Sequence, residues 1–372
     1  MRVAALGTAA ASLLAVSACD RRTDDAVPLP PGTGGKSSQA TGGTGGMDLG
    51  GMGASGGADT KVPTKTPKNL LVAFLGDQGN TIEGEQVLAL VKKEGAAAVV
   101  HLGDFDYVNE PATWEARIDA VLGPSFPYFA VAGNHDVPLW SDYAKLIAAR
   151  AARVPDMRCT GEPGVRANCN FRGLHIVQSC IGMPELGARC ARDSEDQLTF
   201  LRESLAAHRS IWSVCAWHKN QRDMQVGTKT DEVGWAAYQA CQKAGAFIAT
   251  GHEHSYSRTR TLTKLGSRED AHGATGLYDL VTVGPGKTFV FVSGIGGASL
   301  RPFDHALHDA DAWWASYYTS NGWKQNGVVE EGVASPGALF IRFHVDDNPK
   351  KAAAYFKDVN DRIVDTFTIF AE

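Results

Sequence analysis

From residue 69 onward the chain alternates short apolar runs with amphipathic stretches. "NLLVAFL" (69–75), "AAAVVHL" (96–102) and "FPYFAVA" (126–132) are unbroken apolar segments of strand length, the pattern of strands covered on both faces. Between them, residues 81–94 carry helical spacing and end at Gly95, and 113–122 and 141–153 read as further helices. Residues 154–192 hold four cysteines and one short strand, "GLHIVQS" (173–179). "SEDQLTFLRESLAAH" (194–208) opens with a Ser194–Gln197 capping box and sets Leu198, Leu201 and Leu205 on one helical face. "SIWSVCAWH" (210–218) reads as a strand, 232–244 as a helix and "AFIAT" (246–250) as a strand. The remainder is β-rich: "KTFVFVS", "GALFIRFHV", "KAAAYFKDV" and "RIVDTFTIF". No segment repeats at a fixed period. Strand–helix alternation followed by strands predicts a layered α/β body, sheets inside and helices outside, over residues 69–372.

The first 68 residues have another character. Arg2 and the apolar "VAALGTAAASLLAVSA" form a targeting segment too short to remain across a bilayer. It ends "VSAC", which resembles a bacterial lipobox; residues 1–18 would be removed and Cys19 lipidated. Residues 19–68 are Gly, Ser, Thr and Pro with few large apolar side chains, the composition of a flexible tether. Such a chain spans roughly 35–40 Å. The expected location is therefore the cell envelope, with membrane contact through the lipid alone.

The chain has seven cysteines. Setting Cys19 aside leaves six, and export to an oxidising compartment favours pairing. Proximity in sequence suggests Cys159–Cys169, Cys180–Cys190 and Cys215–Cys241. A net charge of −5 over 372 residues gives no reason to expect nucleic-acid binding. Two stretches imitate a phosphate-binding P-loop, "PGTGGKSS" and "VTVGPGKTFVF", but both have the wrong residue at the first glycine, and neither stands between a strand and a helix.

Five apolar runs end alike. They finish "LGDQG", "LGDFDY", "AGNHD", "AWHKN" and "TGHEH". In open α/β sheets ligands bind beyond the carboxyl ends of strands. Asp77, Asp104, Tyr107, Asn134, His135, His218, His252 and His254 are therefore expected on one rim. Carboxylates, an amide and imidazoles together are metal-ligand chemistry. Tyr107 sharpens this, because a phenol loses its proton readily only to a strong Lewis acid such as Fe³⁺.

This order of motifs resembles the calcineurin-like metallophosphoesterases: GD, GD, GNH, a lone histidine, then GHxH. "GDQG", "GDFDY" and "GHEHSYSR" are similar to the purple acid phosphatases within that group, as is the closing "DTFTI". The resemblance implies a four-layer α/β/β/α sandwich and hydrolysis of phosphate monoesters by a metal-activated water. It implies a ferric site of Asp77, Asp104, Tyr107 and His254. A second site for Zn²⁺, Fe²⁺ or Mn²⁺ would share Asp104 and add Asn134, His218 and His252. His135, beside Asn134, would bind the ester or protonate its leaving oxygen, with Asp136 either orienting it or solvated.

The chain departs from the family after His218. The run "HKNQRDMQVGTKT" lacks the usual Pro, Tyr and further His, and offers Lys219, Arg222 and Lys229, each expected in a solvated loop. His305, His308, Trp313 and Trp314 lie outside the motifs and are expected to pack or face solvent. A phosphodiesterase or nucleotidase with the same metals, and a non-catalytic envelope binding lipoprotein, are the competing readings.

Overall fold

The computed structural model describes residues 63–372 apart from Asn326 and Glu331. The expected signal segment, Cys19 and nearly all of the tether lie outside the described residues. Packing already begins at Pro63–Thr66. The Thr64 carbonyl accepts from Ile211 N–H at 3.1 Å, and His344 Nδ1 donates to the Thr66 carbonyl at 2.9 Å.

Two sheets carry the fold. The seven-stranded sheet runs Leu280–Val283, Ile363–Ala371, Lys351–Asp358, Gly337–Phe343, Leu70–Leu75, Ala98–His101, Tyr128–Ala130. The ten-stranded sheet runs Val328–Glu330, Gly322–Gln325, Trp314–Thr319, Tyr256–Thr259, Val290–Ser293, Phe247–Thr250, Trp212–Ala216, Leu174–Ser179, Arg166–Phe171, Arg158–Glu162.

The period-two alternation of strands explains the layering. Leu70, Val72 and Phe74 point to the space between the sheets, where they meet Trp212, Val214, Phe247 and Phe291. The alternate residues Leu71, Ala73 and Leu75 face outward onto helices Ile82–Glu94, Pro111–Val121 and Trp140–Arg153 through Val87, Leu88, Trp114, Ile118, Tyr143 and Ile147. On the far side, Cys215, Trp217 and Ile248 face helices Glu195–Ala207 and Ala236–Ala244 through Leu198, Leu201 and Tyr238. The result is the expected α/β/β/α sandwich.

The three disulfides pair as proximity suggested: Cys159–Cys169, Cys180–Cys190 and Cys215–Cys241. They point to an oxidising compartment. No described helix is long and apolar enough to cross a membrane.

Some local expectations fail. The capping box does not form: Ser194 Oγ donates to the Arg189 carbonyl, and Gln197 Oε1 accepts from Ser179 Oγ at 2.9 Å. Tertiary partners outcompete the local exchange. The cystine-rich segment also contains a hairpin, Arg158–Glu162 with Arg166–Phe171, whose strands are too polar to signal themselves. The helix expected at 232–244 begins at Ala236, because 232–235 lie in the loop that reaches the site.

Candidate metal centre

Strands Leu70–Leu75, Ala98–His101 and Tyr128–Ala130 are parallel neighbours, as are Trp212–Ala216 and Phe247–Thr250. Their carboxyl-end loops are cross-braced. Asp77 N–H donates to the Gly103 carbonyl at 2.9 Å, and Gly251 N–H to the His218 carbonyl at 3.1 Å. Gly103 is needed here, since its φ is +90° and a Cβ would collide with the His218 ring. Four of the expected ligands also sit in the left-handed region: Asp77 (φ 55°), Asp104 (58°), Tyr107 (59°) and His252 (68°). Such backbone costs about 1–3 kcal/mol per residue and collects at functional sites.

All seven expected ligand side chains converge. On one side the Tyr107 hydroxyl donates to Asp77 Oδ1 at 3.1 Å and lies 3.0 Å from His254 Nε2, itself 3.4 Å from Asp77 Oδ1. On the other, His218 Nε2 stands 3.1 Å from Asn134 Oδ1, 3.3 Å from Asp104 Oδ1 and 3.2 Å from His252 Nδ1. His135 is exposed at the rim. Its backbone N–H donates to Asp104 Oδ1 at 3.0 Å, and its ring lies 4.6 Å from that of Tyr107.

Each imidazole has its outer nitrogen fixed by an acceptor. His218 Nδ1 donates to the Leu102 carbonyl at 2.7 Å and His254 Nδ1 to the Ser299 carbonyl at 2.9 Å. His252 Nε2 is 2.8 Å from Glu232 Oε2. That points every inner nitrogen at the centre, where a bound cation would take the place of any proton it carries.

Glu232 carried no sequence signal. Its carboxyl sits near pH 2; burial opposes ionisation, but the His252 hydrogen bond and the neighbouring Lys219 outweigh it. Asp136, also missed in this role, is fully buried. It accepts from the backbone N–H groups of Asp104 (3.0 Å), Phe105 (2.8 Å) and Gly133 (2.7 Å). It thus braces two ligand loops, neither solvated nor holding His135 as the sequence suggested. Asp106 accepts from the N–H groups of Val108, Asn109 and Glu110 and from the Tyr143 hydroxyl, which folds the loop that presents Tyr107. Glu232 and Asp136 are lone carboxylates, whose roles become visible only when distant loops are assembled.

The post-His218 loop also differs from expectation. Lys219 is buried between Glu185 (3.1 Å) and Glu232 (3.0 Å), not solvated. Arg222 is exposed beside Asp223. Lys229 is partly buried. His308 is buried against Asp311 and the Gly227 carbonyl, His305 is exposed, and Trp313 and Trp314 pack.

The electrostatics suit cations. Burial alone would raise Asp77 and Asp104, but the facing histidines outweigh it and hold both below the usual carboxylate range. Burial works against a charged His218, yet Asp104 and Asp77 push it up to about 9. Burial lowers His252 to about 4 despite Glu232. Burial, then Asp77 and Asp104, raise the Tyr107 phenol far above its ordinary value. Two inner imidazole nitrogens 3.2 Å apart, and a phenol oxygen 3.1 Å from a buried carboxylate, group ligand-type atoms closely enough for one cation to touch several of them. Carboxylate and phenol oxygens with one imidazole on one side, and carboxylate, amide and two imidazoles on the other, fit a pair of metal ions.

A two-sheet α/β/β/α body with carboxylates and imidazoles gathered at its strand ends is the build of a metal-dependent hydrolase. The chain belongs to the calcineurin-like phosphoesterase family, whose model matches residues 70–256. Among solved structures it is similar to the purple acid phosphatase PPD1 from yellow lupin (Lupinus luteus) seeds. The identity is 15%, with 83% of this chain and 55% of that one covered and a TM-score of 0.55. It is also similar to GAP50, the anchor in the inner membrane complex of Plasmodium, at 12% identity, 82% and 90% coverage and a TM-score of 0.50. The chain thus spans little more than half the length of the lupin protein. Among curated proteins none matches closely enough to count.

Proposed function

We propose that the chain is a purple acid phosphatase-like phosphomonoesterase, exported and held at the envelope through lipid on Cys19. Asp77, Tyr107 and His254 would hold a ferric ion. Asn134, His218 and His252 would hold Zn²⁺, Fe²⁺ or Mn²⁺, with Asp104 shared between the two. The observation that carries this is the Tyr107 hydroxyl, 3.1 Å from Asp77 Oδ1 and 3.0 Å from His254 Nε2. A phenol in that company suits a trivalent ion. When bound, the cations neutralise phosphoryl oxygens and acidify an attacking water.

The chain's own residues supply the rest. Leu102, Ser299 and Glu232 hold the three imidazoles in their binding tautomer. Asp136 keeps the Asp104 and Asn134 loops together, so the shared carboxylate does not drift. Exposed His135, its ring tilted against that of Tyr107, is free to receive the ester and to give a ring-nitrogen proton to the departing oxygen.

Metal analysis with a visible spectrum of the purified protein tests the iron. Phosphate release from a monoester panel against a diester panel separates this reading from a phosphodiesterase or nucleotidase. Absence of turnover on both panels, with metals bound, would favour a non-catalytic binding protein. Radiolabelled palmitate incorporated by the wild type and lost in Cys19→Ala tests the anchor.

A further inference from the structure

We propose that Lys229 and Arg301 form a cationic clamp beside the metal centre, selecting phosphoesters whose leaving group carries a second phosphate. This rests on the phosphoesterase reading above and adds a substrate class to it.

Two loops meet over the segment that carries His252 and His254. Asp304 N–H donates to the Val226 carbonyl at 2.9 Å, tying loop 225–232 to loop 299–304. Arg301 hangs directly on the site, its backbone N–H donating to the His254 carbonyl at 2.8 Å. Its guanidinium lies 3.7 Å from Glu253 Oε2. Glu253, between the two candidate ligands, is fully buried, and neither of its oxygens has a hydrogen-bond partner among the described residues. Gly227 presses so closely on this carboxylate that a Cβ there would collide with it.

Lys229 joins this group. It is partly buried, and among the described residues no carboxylate lies within ion-pair distance of it. Burial, then the charge of Arg301, hold its ammonium below the usual lysine range despite Glu232, Glu253 and Asp77. Its charge also reaches His252. The other lysine of the loop, Lys219, is committed to Glu185 and Glu232.

Arg301 is thus held against the buried Glu253 carboxylate, and Lys229 stands on the loop that packs on the same carboxylate through Gly227, next to His252 and His254. Glu253 offsets only one of the two positive charges, so a further anion at these loops finds a net positive field. The scissile phosphoryl group belongs at the metal ions, and His135 stands toward Tyr107. The anion facing Lys229 and Arg301 is then a second group on the same substrate. Arg offers a planar fork and Lys a point charge, a combination suited to phosphate oxygens.

The test uses the metal-loaded chain and two non-hydrolysable probes, methylphosphonate and methylenediphosphonate, titrated calorimetrically. Metal content is measured before and after. The wild type should bind the diphosphonate at least tenfold more tightly. Lys229→Gln and Arg301→Gln should each shrink that ratio at least fivefold, and Lys229→Arg should restore most of it. Equal affinities in the wild type, or variants that weaken both probes alike with metal retained, overturn the clamp. A preserved preference without hydrolysis of any phosphoester would instead sink the phosphoesterase reading and leave the clamp standing.

Discussion

Arg258 and Asp365 form a two-pronged ion pair between the two sheets, Nε to Oδ2 at 2.6 Å and Nη2 to Oδ1 at 2.9 Å, with both side chains fully buried. The Tyr256 hydroxyl donates to the same carboxylate at 2.7 Å, and the Arg258 guanidinium covers the Phe367 ring at 4.0 Å. Tyr256 and Arg258 are the tail of "GHEHSYSR", and Asp365 opens "DTFTI". These residues fasten the sheets behind the loop that carries His252 and His254.

Asp365→Ala should therefore cost about 3–5 kcal/mol, because a buried guanidinium and a buried phenol lose their acceptor together. Urea denaturation measures it. An Asp365→Leu, Arg258→Met double variant should regain most of the loss; equal damage in single and double variants would show that the pair itself is not what matters.

Tyr107→Phe should abolish any visible absorption band and reduce iron content, while the histidine-rich side retains its metal. Burial and two neighbouring carboxylates keep the phenol protonated in metal-free protein, so the band should appear only when ferric ion is added. A coloured Phe variant would remove Tyr107 from the ligand set.

Glu232→Gln should weaken metal binding about 10–100-fold, the usual consequence of loosening a carboxylate behind a ligating imidazole. Competition with a chelator measures this. Lys219 keeps Glu185 as a partner, so folding should survive. Unchanged affinity would reduce Glu232 to a counter-ion for Lys219.

Acid should destabilise the fold through His175, far from the metal centre. Its ring is fully buried and stacked 3.6 Å from His208, with Nδ1 3.1 Å from Ser213 Oγ and Nε2 2.9 Å from Asn168 Oδ1. Burial, then the charge of His208, lower its pKa to about 3, against about 6.5 in the unfolded chain. Between those values the unfolded state binds the extra proton. The contribution is complete above pH 6.5 and is lost progressively as pH falls toward 3. From pH 6.5 to 4.5 the loss is about 2–3 kcal/mol, and His175→Gln should flatten the curve by that amount. Urea midpoints at several pH values measure this, and parallel curves for the two proteins would refute it.

The parts legible in the sequence were those written in local pattern. Unbroken apolar runs announced the central strands, and the glycine-led clusters after them announced the rim to which Asp77, Asp104, Asn134 and His252 come. The polar hairpin Arg158–Phe171 lacks such a run and escaped notice. Ser194 and Gln197 misled because each finds a tertiary partner better than the other. Asp136, Glu232 and Asp365 were opaque for a different reason. A lone carboxylate has no periodicity, and its partners come from loops or strands up to 109 residues away.

The left-handed backbone at Asp77, Asp104, Tyr107 and His252 has a consequence for how this chain tolerates change. Glycine at any of these positions would relax the main chain and firm up the body while discarding a donor. Drift toward thermal robustness and retention of chemistry thus pull in opposite directions at four loops at once. A library sorted only for resistance to heat should enrich for well-folded descendants that have lost these four side chains.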